Sequence, residues 1–291
     1  MDRASQYLLA LAKQKIQAYI VHPNAKAAMI TGSTATGQAD FHSDVEMFIY
    51  YDRLPSIEEL QLARQRNNGS EPIRVLGDRH EGFWGEFYFI NGIEFQIGNS
   101  TIAFWERNMA TVLQELEVTS PAQKALLGML DCIPVYGEEL IRKWKKQIAN
   151  YPNELAKAMV KQYLNFFPIW AVRERLACRD SKLFQHQIRL ETGQNLLGVL
   201  AGLNRLYYST FQFKRTKQFI EQMNIAPENL YVRLEGIYYQ EPLFAASQLK
   251  ELVTETVDLV ELHMPEIDTS KVRKSLERKP HIWQPVTEEN E

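Results

Sequence analysis

Two apolar runs of strand length, Ala27 to Thr31 and Val45 to Tyr51, flank a polar loop that opens on Gly32-Ser33 and closes on Asp44. That text admits few folds. Side chains two apart on a strand share a face, so Asp44 and Glu46 project together while Val45, Met47 and Ile49 turn into a core. Paired carboxylates at the mouth of a glycine-containing loop point to a divalent-cation site, since hard cations take oxygen ligands. The blander alternative is a hairpin with a polar turn and two surface acids. It leaves unexplained why both acids head an otherwise apolar run.

Gly32 to Ala39 comes close to a phosphate loop of the form Gly-x4-Gly-Lys-[Ser/Thr], but Gln38 and Ala39 stand where the lysine and hydroxyl belong. Without them the phosphates lose a point charge and magnesium loses a ligand. A P-loop ATPase is therefore set aside.

At 291 residues the chain exceeds what one small core needs, so two domains are expected. A net charge of −3 argues against a broad nucleic-acid-binding surface, which would be basic. No run approaches the ~18 consecutive apolar residues of a membrane span, and the N-terminus lacks a signal-peptide core. Cys132 and Cys178 have no metal-ligand spacing and are expected to be reduced, packed thiols of a cytoplasmic protein. His42 lies in the loop, and the other histidines are scattered without paired spacing, so zinc is not expected.

Helical periodicity is expected over 2–20, about 56–67 after Pro55-Ser56, and 101–117. Strands are expected at 73–76, 82–90 and 93–97, the last two joined by the hairpin signal Asn91-Gly92. After Ser120-Pro121 strand signals stop. Successive helices follow at 121–130, 137–149, 153–179, 182–211, 215–223, 227–236 and 244–262, with Pro168 kinking the third; the tail after Pro265 is weakly patterned. The fold class is α+β, with a mixed domain over 1–119 and an all-helical domain over 120–291.

Gly32-Ser33, ten residues, then Asp44-x-Glu46 resembles the signature of the nucleotidyltransferase fold, the polymerase-beta-like superfamily. Gly37-x-Ala39 leading to Ser43-Asp44 resembles the Gly-x-Ala-x-x-x-Ser-Asp run of its bacterial members. In the second half, Asp131-Cys132-Ile133-Pro134-Val135-Tyr136-Gly137, Leu203-Asn204-Arg205-Leu206-Tyr207-Tyr208 and Phe213-Lys214-Arg215 are similar to text of an uncharacterised bacterial nucleotidyltransferase-like group. The resemblance implies a catalytic domain before a helical bundle, as in antibiotic nucleotidyltransferases. It implies two Mg²⁺ ions held by Asp44, Glu46 and a third acid, with Gly32 and Ser33 against the β- and γ-phosphates of an NTP, ATP by default.

Glu94 is the expected third acid, since after the Asn91-Gly92 turn it shares a face with Gln96 while Ile93, Phe95 and Ile97 face a core; Glu86 is its competitor. Glu46 stands where Asp is the commoner second residue. Asn204, Arg205 and Lys214 are candidate phosphate contacts from the helical half, the alternative being solvated helix-end groups. The expected reaction is transfer of a nucleoside monophosphate to a hydroxyl of a small molecule bound between the domains, with an aminoglycoside or lincosamide as the family-level guess. Transfer to a protein or RNA, and a binding module that has lost catalysis, are the rival readings. No membrane partner is expected.

Overall fold

A computed structural model describes residues 3–281 and Trp283. The chain forms two compact units, Met1–Tyr151 and Pro152–Glu291.

The first unit begins with α1 (Arg3–Lys15) and α2 (Gln17–Ile20), then β1 (Ala25–Thr31), a short α3 (Gly32–Thr36) and β2 (Val45–Tyr51). Next come α4 (Ile57–Arg66), β3 (Arg74–Leu76), β4 (Phe83–Ile90), β5 (Ile93–Thr101) and α5 (Ile102–Leu113). It closes with α6 (Ala122–Asp131), β6 (Ile133–Tyr136) and α7 (Glu138–Ala149). Helix α4 starts where the sequence says it should. The Ser56 side chain accepts from the Glu59 amide and the Glu59 carboxylate accepts from the Ser56 amide, a reciprocal cap.

The six strands form one sheet in the order β3-β4-β5-β2-β1-β6. Neighbours are antiparallel except β2 and β5, which run parallel. Strict alternation divides the sheet into two faces. Val45, Met47, Ile49, Tyr88, Phe95 and Ile97 join Leu8, Ala12, Ile16, Tyr19 and Leu60 in one core. On the other face Trp144 of α7 packs edge to face with Tyr50 and with Trp105 of α5, and Tyr50 and Trp105 meet at a tilt, with centroids 4.8 to 6.1 Å apart.

Strand β6 departs from the expectation that strands end near residue 120. It is short and contains Pro134, which reads as a breaker. It lies at the edge of the sheet against β1, where a residue lacking an N–H is tolerated.

The second unit is helical: α8 (Asn153–Tyr163), α9 (Ile169–Ala177), α10 (Lys182–Asn204), a 3-10 turn (Thr210–Arg215), α11 (Thr216–Ile220), α12 (Leu230–Tyr239), α13 (Pro242–His263) and α14 (Ser270–Leu276). The helix expected over 153–179 is broken rather than kinked. Pro168 disfavours helix at the residue before it, and the Asn195 side-chain amide caps the gap by donating to the Asn165 carbonyl. Helix α10 stops short of its expected end because Arg205 takes a left-handed conformation, φ 53°. Among the described residues no helix is long and apolar enough to cross a membrane.

Candidate active site

The site grows from one end of the sheet, where β1 finishes and β2 and β5 begin. Thr31 pairs with Glu46, and Glu46 lies across from Gln96 in the parallel β2–β5 register. The next pair, Val45 with Phe95, faces the core. Asp44, one residue before β2, therefore comes abreast of Glu94 on the face that holds Glu46 and Gln96. All four polar side chains are half-buried.

The turn after β1 fits around this group. Gly32 has φ 69°, and a methyl group there would collide with the Glu46 carboxylate. Glycine thus serves two needs, a left-handed backbone and room for an acid. Ser33 follows in α3, half-buried, and no hydrogen bond engages its hydroxyl among the described residues. The loop to Asp44 is built by its own polar groups. Asp40 Oδ1 accepts from the His42 amide and the Ser43 hydroxyl, and the buried Ser5 hydroxyl of α1 accepts from the Ala39 amide. The Thr34 hydroxyl donates to the Asp44 carbonyl at 3.3 Å, tying α3 to the start of β2.

Gln96 is the residue that sequence reasoning passed over. Its Nε2 donates to Asp44 Oδ2 at 2.5 Å and to Glu94 Oε1 at 3.1 Å. One amide nitrogen thus lies between two carboxylates. Alternation had placed Gln96 beside Glu94, but only the parallel register shows that Asp44 also reaches it.

Glu86, the rival third acid, turns to the opposite face. Its carboxylate bonds Arg64 Nη1 at 2.9 Å and the Trp84 indole N–H at 3.2 Å, both within the first unit's interior. It is a buried structural ion pair, remote in direction from Asp44 and Glu46.

In the second unit, the Asn204 side chain donates to the Leu200 and Ile225 carbonyls and accepts from the Asn224 and Ile225 amides. Those four bonds use both its protons and both its lone pairs, so Asn204 fastens the loop after α11 and retains no capacity for a phosphate. Arg205 is exposed and donates to Asn153 Oδ1 at 2.8 Å. Lys214 is exposed on the 3-10 turn.

The cysteines divide. Cys132 is buried, and desolvation pushes its thiol up, as a packed thiol requires. Cys178 is exposed just past the end of α9, contrary to expectation.

The donor set suits a hard cation: carboxylates of Asp44, Glu46 and Glu94, with the Gln96 amide oxygen available after rotation. Among the described residues no three His, Cys, Asp or Glu side chains already converge as a metal cage. The Gln96 nitrogen stands between two of the acids. It partners Asp44 and Glu94 with its own positive end, as a cation would.

No family model matches the chain, and no curated protein matches it. Among solved structures, a nucleotidyltransferase-like protein from Exiguobacterium sibiricum 255-15 aligns over 89% of this chain and 80% of that one, with 11% identity and a TM-score of 0.40. Likeness at that level carries no inference about activity.

Proposed function

We propose that the chain is a divalent-cation-dependent nucleotidyltransferase. It moves a nucleoside monophosphate from an NTP, ATP by default, to a hydroxyl of a small-molecule acceptor. One observation carries the reading: three acids on adjacent strands share a sheet face, with Glu46 seated against the Gly32-Ser33 turn. Gly32 lets the backbone approach phosphate oxygens, and the Ser33 amide and hydroxyl are donors for them.

In the reaction the acceptor hydroxyl attacks the α-phosphorus, the bond to the bridging oxygen breaks, and pyrophosphate leaves. Glu94 takes the hydroxyl's proton, and Asp44 and Glu46 would hold Mg²⁺, which would supply charge neutralisation for the leaving oxygens. Gln96 orients Asp44 and Glu94 through its amide.

The same amide favours a second reading, a nucleotide-binding module with reduced catalysis, because it fills the place between two acids with a neutral group. Labelled NTPs incubated with Mg²⁺ and a panel of hydroxylated acceptors separate the two. Catalysis gives metal-dependent pyrophosphate, and Asp44→Asn lowers it by more than about 100-fold, beyond what loss of an outer-shell partner costs. ATP binding without pyrophosphate from any acceptor would leave the binding module.

A further inference from the structure

The row that carries Glu46 and Gln96 continues across the sheet. Gln96 pairs with Phe87 on β4, and Phe87 pairs with Arg74 on β3, all on the same face. The neighbouring row pairs Glu94 with Phe89. From β1 to β3 the face therefore runs from the phosphate-accepting turn, through the acids, to two phenyl rings and a guanidinium.

The Arg74 guanidinium sits over Phe87, its Cζ 3.9 Å from the ring centroid. The stacking covers Phe87, which is 8% exposed, while Phe89 is 39% exposed. Among the described residues Arg74 has no carboxylate or carbonyl partner. A guanidinium held over a ring by cation–π attraction still has its N–H donors to offer a carboxylate or phosphate. The nearby acids do not neutralise it: Glu71 is paired with Arg64, and Glu86 faces the other way.

The order of these groups assigns their roles. With NTP phosphates at the β1 end, the attacking hydroxyl comes from the β5 side, next to Glu94, and the rest of the acceptor extends over β4 and β3. We propose that the acceptor is an anionic, ring-bearing alcohol, its ring on Phe89 and its phosphate or carboxylate on Arg74. This deepens, and rests on, the nucleotidyl-transfer reading. Strands spaced about 4.8 Å apart put the anion roughly 10 Å from the reacting hydroxyl. A polycationic antibiotic is disfavoured, because its ammonium groups would meet the guanidinium.

Phenyl phosphate tests this. It carries a ring and an anion but no alcohol, so its complex with enzyme and ATP cannot turn over. Its binding to the full-length chain is measured by calorimetry, alone and with saturating Mg²⁺-ATP. The proposal expects binding in both conditions, weakened about 10-fold or more by Arg74→Ala, weakened less by Arg74→Lys, and weakened several-fold by Phe89→Ala. ATP affinity is expected to be unchanged in all three variants, which also shows that they are folded. Failure of phenyl phosphate to bind, binding indifferent to Arg74→Ala, or displacement by ATP would each overturn the anionic acceptor while nucleotidyl transfer stands. Absence of ATP binding to the wild-type chain would overturn the transfer reading and the acceptor assignment together.

Discussion

Arg64 and Glu86 show how much one pair can contribute inside a small sheet domain. Their side chains are 5% and 4% exposed, and the guanidinium and carboxylate meet at 2.9 Å. Arg64 also reaches the exposed Glu71 at 3.2 Å, but a rim contact of that kind adds little. Removing one member of a buried pair leaves the other charge stranded, at a cost of about 3–5 kcal/mol, while replacing both with apolar groups is often near neutral. Arg64→Ala is therefore expected to lower urea-unfolding stability by that amount. The double change Arg64→Met with Glu86→Leu should recover more than half of the loss, short of complete because the Trp84 indole N–H loses its acceptor. A single-variant loss under about 1 kcal/mol would mean that water reaches the pair.

At the level of elements, α14 is held by charge rather than by a broad apolar stripe. Val272 and Leu276 are its buried residues, while Arg273 bonds Asp258 and Glu261 of α13. The Arg273 guanidinium first, then the Thr269 hydroxyl, hold the Glu261 carboxyl down at about 2. Its folded value lies below the unfolded one, near 4.3. Its ionised form therefore favours the docked helix at every pH above the unfolded value, and the contribution fades as pH falls toward 2. Hydrogen exchange should show α14 amides losing protection between about pH 4 and 2, ahead of residues 196–203 of α10, whose buried side chains are apolar. Equal protection of α14 and α10 at pH 2 would contradict this. The same contrast explains what the sequence could reveal. Strands β1, β2, β4 and β5 and helix α4 were legible because alternation and a capping box are local signals. Helix α14 was not, because its anchor is a set of salt bridges back to α13 rather than a pattern within its own seven residues, nor was β6, whose proline is permitted only by an edge position. Asp44, Glu46 and Glu94 could be placed on one face from alternation alone. The bond from Gln96 to Asp44 needed the parallel β2–β5 register, which no local pattern encodes, and three of the four bonds that commit Asn204 come from residues about twenty positions on.

For the molecule as a whole, two compact units divided at Tyr151 and Pro152 predict two unfolding events rather than one. The two events have different optical signatures. Trp84, Trp105 and Trp144 lie in the first unit, with Trp105 and Trp144 buried, against the buried Trp170 in the second, so indole fluorescence is weighted toward the sheet domain. The second unit is helical almost throughout, so ellipticity at 222 nm is weighted toward it. A urea titration followed by both probes should give midpoints that do not coincide. Arg64→Ala sharpens the test, because it acts on the first unit alone. It should move the fluorescence midpoint to lower urea, by its cost divided by an m-value of about 1–3 kcal/mol per molar, while most of the ellipticity transition stays in place. If both probes shifted together by the same amount, the chain would unfold as one cooperative body. The site on the sheet would then depend for its stability on the helical half.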